Sequence, residues 1–80
     1  MSRERHSRLK WHCRRGMREL DVLLERYLVR EYADAPAVQK AAFETLLSLQ
    51  DPEILDLLTG RVVADDDDLR DVVKRLLTDS

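Results

Sequence analysis

The chain holds one cysteine, Cys13, so no disulfide can close within it, and two histidines beside one cysteine are too few for a cysteine-rich zinc module. A lone thiol also points to a reducing compartment. Two glycines and two prolines in 80 residues are too few to punctuate an all-β chain, and strongly β-forming runs are missing. Aromatics are scarce: Trp11, Tyr27, Tyr32 and Phe43 complete the set, and core packing accounts for most of them. No apolar run approaches the roughly 20 residues that span a bilayer, which argues against membrane insertion, and no basic-then-apolar opening resembles a signal peptide.

Catalytic patterns are missing too. There is no Gly-x-Ser-x-Gly elbow, no phosphate-cradling glycine loop and no dinucleotide fingerprint. His12 and Cys13 are adjacent, and on a helix neighbouring side chains diverge by about 100°, so they read as a packed cysteine beside a partly exposed histidine, not a catalytic pair. His6 falls in a charged N-terminal segment, about residues 1–7, that reads as a flexible tether. The expectation is a binding protein with no catalytic residue and no metal.

What the chain does have is 44% hydrophobic and 38% charged residues, enough apolar material for one folded domain over residues 1–80 with a heavily ionised surface. The net charge of −2 hides a division: residues 1–30 carry +5 and residues 31–80 carry −7. The basic part is almost all arginine (Arg3, Arg5, Arg8, Arg14, Arg15, Arg18, Arg26 and Arg30, with Lys10), a side chain suited to fixed bidentate contacts. The acidic run Asp65–Asp68 reads as a helix start, because it lacks the spaced oxygens and closing glutamate of a calcium loop.

The apolar spacing predicts an all-α, small compact bundle of five short helices. The first runs from Ser2 to about Cys13, with Gly16 turning the chain into the second, about Met17 to Tyr32, whose stripe is Leu20, Leu23, Leu24, Tyr27 and Leu28. Asp34-Ala35-Pro36 supplies a cap and a proline for a third helix, roughly Pro36 to Leu49, with Val38, Ala42, Phe43, Leu46, Leu47 and Leu49 apolar. Asp51 as N-cap and Pro52 at the first helical position open a short fourth helix that ends at Gly60. The fifth begins in the Asp65–Asp68 run, shows Leu69, Val72, Val73, Leu76 and Leu77 on one face, and ends before Ser80.

One segment stands out: Trp11-His12-Cys13-Arg14-Arg15-Gly16-Met17-Arg18-Glu19-Leu20-Asp21. Arginines at 14, 15 and 18 surround a glycine, and Glu19 lies one helical turn beyond Arg15, so it can face that arginine or a partner. The plain reading is a solvated helix junction with a surface ion pair. The functional one is that the missing side chain at Gly16 admits another protein's backbone, with Arg15 and Glu19 as oppositely charged directional contacts.

Here the sequence resembles the SdhE-type FAD assembly factors, the flavinylation factors of succinate dehydrogenase. The resemblance rests on Arg15-Gly16-Met17-Arg18-Glu19, matching the family's Arg-Gly-x-x-Glu signature within the longer Trp11 to Asp21 pattern, and extends over roughly Arg8 to Gly60, with Tyr27, Glu31, Tyr32 and Asp51-Pro52 following. It implies a five-helix assembly chaperone that binds the flavoprotein subunit of succinate dehydrogenase, or fumarate reductase where present, and promotes covalent attachment of FAD to a client histidine. FAD then belongs to the client and is not held stably by this chain. Arg15, Gly16 and Glu19 would lie at the client interface, flanked by Arg14, Met17, Arg18 and Asp21. The alternative is a small regulatory protein of antitoxin or nucleic-acid-binding type, with Arg8, Arg14, Arg15 and Arg18 on phosphates, against which the acidic remainder of the chain and the lack of a helix-turn-helix signature argue. A flavin-carrying protein finds no support in the glycine placement. With no sustained heptad seam the expectation is a monomer, and with no acid-poor Arg/Ser leader it is cytoplasmic.

Overall fold

The apolar stripes fold as helices in the computed structural model, which describes the backbone of residues 2–78 and the side chains of residues 8–78. The order is α1 (Ser2–Cys13), α2 (Arg18–Arg30), a 3-10 turn (Tyr32–Asp34), α3 (Ala37–Leu47), α4 (Asp51–Thr59) and α5 (Asp67–Leu77). Among the described residues there is no strand, and the architecture is the expected five-helix one. The side chains of the expected tether, His6 included, lie outside the described residues. A radius of gyration of 11.6 Å is that of a folded globule of this length.

The helix ends show where local rules gave way to tertiary ones. Met17 sits at the N-cap of α2 with extended dihedrals, and the helix stops at Arg30, not Tyr32. Ala35 precedes Pro36 and is therefore extended (φ −73°, ψ 148°), so the chain leaves the helix early and takes the 3-10 turn. That turn buries the Tyr32 ring 5.8 Å from Phe43 and lets its hydroxyl donate to Glu44 of α3 at 2.5 Å. Asp34 is not the cap of α3: Pro36 occupies that position without a side-chain bond, and α3 ends at Leu47, not Leu49. Likewise Asp51 is not the cap of α4. Gln50 holds that place, its N–H donating to Glu53 at 2.9 Å, which puts Pro52 second in the helix and frees the Asp51 carboxylate for another task. At α5 the acidic run acts as expected, with Asp66 accepting from the Leu69 N–H at 3.3 Å, and Gly60 ends α4 at φ +82°.

Helix α5 packs chiefly on α3 and also on α2 and α4, while α1 lies against α2 and α3. Phe43 is fully buried, with the Tyr27 ring at 4.5 Å, and shares one core cluster with Leu20, Leu24, Leu28, Leu46, Ile54, Val72 and Leu76. Gln39 of α3 donates to Asp71 of α5, and Arg75 of α5 reaches Glu31 at 3.1 Å, so polar ties rim the same packing. Three apolar residues are out in solvent, two of them from the expected stripes. Val38 stands on the first turn of α3 and Leu77 on the last residue of α5, at helix ends that overhang the contact, and Trp11 is 77% exposed.

Helix α1 is attached through Leu9 and Cys13, one helical turn apart. Burial, with the Glu25 carboxylate nearby, pushes the Cys13 thiol up from 9.0 to about 12, against a smaller opposing pull from Arg15. The neutral thiol is thus favoured in the fold, and the stability this confers is complete below about pH 9 and is lost as pH rises toward about 12. At pH 8 iodoacetamide should modify Cys13 of the folded chain only as fast as the chain opens, and rapidly in urea. Fast alkylation without denaturant would show that α1 is not docked.

Candidate functional site

Between Cys13 and Arg18 the chain reverses through four residues, and each has a defined support. The Arg14 N–H donates to the Trp11 carbonyl at 3.1 Å, Gly16 takes φ +81°, and the Asp21 N–H donates to the Met17 carbonyl at 2.8 Å. The Asp21 carboxylate reaches back to accept the Arg15 N–H at 2.7 Å, so a side chain one turn into α2 fastens the start of the turn. A Cβ built on Gly16 meets nothing within 4 Å. The glycine is required by its left-handed backbone, where another residue costs about 1–2 kcal/mol, and not by crowding within the fold.

The Arg15 side chain turns inward, with only 13% of it exposed. Its Nε donates to the His12 carbonyl at 2.8 Å, one Nη to the Leu49 carbonyl at 2.9 Å and to Asp51 Oδ1 at 3.3 Å, and the other Nη to the Leu47 carbonyl. The last carbonyls of a helix lack intrahelical donors and carry the negative end of its dipole. One guanidinium supplies donors there for the end of α3 and its following turn, and so joins the Gly16 turn to the α3–α4 turn. Arg15 is therefore not the outward directional contact that its spacing from Glu19 suggested. Its ion pair is with Asp51, a residue 36 positions away.

The other expected residues divide in the same manner. Gly16, Arg18 and Glu19 are exposed; Met17 is half-buried against the core; Asp21 is half-buried and committed to the turn; Arg14 is exposed with a loose 3.7 Å pair to Glu25. The residue that sequence reasoning missed is Trp11. A signal existed: Leu9 and Cys13 define the buried stripe of α1, and Trp11, two residues from each, stands about 200° around the helix from that stripe. It borders an open groove of about 630 Å³ that also involves His12, Arg14, Leu49 and Pro52 and runs between the end of α1 and the α3–α4 turn.

This arrangement suits recognition more than reaction. Cys13 is buried while His12 is exposed, so the pair is not set for nucleophilic work. Among the described residues no group of His, Cys, Asp and Glu could hold a metal ion, and no helix is long and apolar enough to cross a membrane. The phosphate-binding alternative loses ground because Arg15 is spent on backbone carbonyls and Arg14 lies against Glu25. What lies outward is an exposed tryptophan beside a hydrogen-bonded turn with open space above its glycine.

Comparison with known proteins gives one consistent result. The family described as the flavinator of succinate dehydrogenase matches residues 7–80. The chain is 37% identical over 71 residues to the FAD assembly factor SdhE of Idiomarina loihiensis, covering 89% of this chain and 79% of that protein. It is 42% identical over 69 residues to the FAD assembly factor SdhE of Methylococcus capsulatus, with 86% and 83% covered. For that of Pseudomonas aeruginosa the identity is 40% over 70 residues, with 88% and 83% covered. No solved structure matches.

The Arg15 clamp predicts a stability loss that charge alone does not restore. Arg15→Met should lower unfolding free energy by about 1–3 kcal/mol, since part-buried carbonyls lose a charged donor. Arg15→Lys should recover less than half, because one ammonium cannot match the planar fork. Equilibrium urea unfolding checks both; a neutral Arg15→Met would place the guanidinium outside.

Proposed function

The chain belongs to the family of succinate dehydrogenase flavinators, the FAD assembly factors, and we propose that it serves as a docking partner that positions its client and not as a catalyst. The client is the flavoprotein subunit of succinate dehydrogenase, with fumarate reductase admitted by the same chemistry. The face that receives it is the Gly16 turn with Trp11 on one side and Arg18 and Glu19 on the other. Arg15, Asp21 and Met17 act behind this face by holding the turn, and Arg14 flanks it.

The observation that carries this reading is the Gly16 turn itself: pinned from below by Arg15 and Asp21, with nothing within 4 Å of where a side chain would stand. A face fixed before contact loses little freedom on binding, which favours affinity. Trp11 supplies the large, rigid anchor that interfaces concentrate their energy on. Held this way, client domains can keep bound FAD against its acceptor side chain, and a poor encounter becomes a positioned one. The covalent chemistry is the flavin's own. On this reading FAD is held by the client and not stably by this chain. The apolar stripes converge on one shared core without a continuous seam, which supports a monomer.

Mixing the protein with the apo flavoprotein subunit and FAD, and reading covalent flavin by in-gel fluorescence, tests the reading. Native chain should accelerate attachment. Gly16→Arg should fold, losing only about 1–2 kcal/mol to its left-handed backbone, yet neither bind nor accelerate. Trp11→Ala should weaken the complex by about ten-fold or more, the scale of an interface anchor. A folded Gly16→Arg chain that supports flavinylation at the native rate would refute the proposed face.

A further inference from the structure

Helix α2 buries one stripe, Leu20, Leu24, Tyr27 and Leu28, and the residues opposite that stripe face outward. Most of the outer face is charged, as a solvated helix requires, but two valines interrupt it: Val22 is 52% exposed and Val29 72%. Seven residues make almost two full turns, so the two side chains fall within about 20° of each other and about 10 Å apart along the axis. Arg18, one turn before Val22, is exposed on the same strip.

A single exposed apolar side chain is ordinary on a protein surface. Two aligned on one helix face are a different case. Valine loses χ1 freedom in a helix, so alanine, glutamate or lysine would serve α2 better at both positions if water were all they met. Val22 also borders an open hollow of about 630 Å³ lined by Arg18, Glu19, Leu23 and Arg26, to which half-buried Leu23 adds apolar surface. Arg18 and Glu19 are thereby common to this hollow and to the face proposed for the client, and the strip begins where the Gly16 turn ends. The other exposed apolar patch, Val62, Val63 and Leu77 beside α5, shares no residue with that face.

We propose that the client's contact runs on from the Gly16 turn along the outer face of α2, where an apolar strip of the flavoprotein subunit covers Val22 and Val29. The inference rests on the docking face proposed above and lengthens it by about 16 Å, from Arg18 to Val29. It asks for apolar burial and for no free charge; Arg26 already has an interaction within the chain. A contact at one turn leaves a client free to swivel about it. A second along α2 fixes the client's orientation, which is what holding a bound flavin against an acceptor side chain demands.

Val22→Glu and Val29→Lys test the extension, because they introduce opposite charges and a loss shared by both follows from the missing apolar contact. Both positions are on exposed helix surface, and their urea midpoints should match that of the native chain. Binding to the apo flavoprotein subunit is measured by titration calorimetry beside Gly16→Arg and Val63→Lys. Each variant on α2 should weaken the complex about ten-fold, the scale of one covered valine, with Val63→Lys unchanged and Gly16→Arg not binding. Native affinity in both α2 variants while Gly16→Arg fails to bind would overturn the extension and leave the docking face standing. Native affinity in Gly16→Arg would remove the face and the extension together. Sedimentation of the free chain covers the remaining occupant: a native dimer that either α2 variant splits would make a second copy the cover of this strip and refute the proposal.

Discussion

The end of a helix leaves carbonyl oxygens without donors, and in this fold the end of α3 finds them on a side chain from the far end of the sequence. Arg15 reaches the Leu47 and Leu49 carbonyls and Asp51, while its own backbone N–H is held by Asp21. The α1–α2 turn, the first turn of α2 that follows it and the distant α3–α4 turn thereby meet on one residue. An arginine is needed because only its planar fork offers several donors at fixed angles, and because it remains charged in a partly buried place where a lysine would be drawn toward deprotonation.

That inward commitment organises what faces out. With Arg15 and Asp21 beneath it, the Gly16 turn is not a loose connection; it presents a bare backbone patch between an exposed tryptophan and an exposed Arg18 and Glu19. The signature by which the family is recognised thus contains two kinds of residue. Gly16 and Glu19 offer surface, and Arg15 offers rigidity. The uneven charge of the chain runs alongside this division: the basic balance belongs to residues 1–30, which carry the proposed docking face, and the acidic balance to residues 31–80.

Much of the fold was legible because short helices announce themselves. The Leu20 to Leu28 stripe, the glycines at 16 and 60 and the acidic start of α5 each carry their meaning within a few residues, and each was read correctly. The errors came where a local rule competed with a distant partner. Asp51 has the look of a cap, but its carboxylate serves Arg15, and Gln50 takes the cap. Tyr32 fits a longer α2 by pattern, yet Pro36 forces the chain out and the ring finds Phe43 through a 3-10 turn. At the site, the motif named the residues of the turn but not the direction each one faces. No spacing rule reveals that Arg15 points in, and the exposure of Trp11 could be read only by setting it against Leu9 and Cys13.

The claim on which the account turns is that Arg15 is already committed within the free protein while Gly16 awaits a partner. Hydrogen exchange measured by NMR on the isotope-labelled chain, alone and with the apo flavoprotein subunit of succinate dehydrogenase, addresses it most directly. The account predicts an Arg15 amide and Nε–H that are protected in the free chain and little altered in the complex, with the Gly16 amide and the first-turn amides of α2 gaining protection when the client binds. An Arg15 guanidinium that exchanges freely alone and becomes protected only in the complex would contradict it.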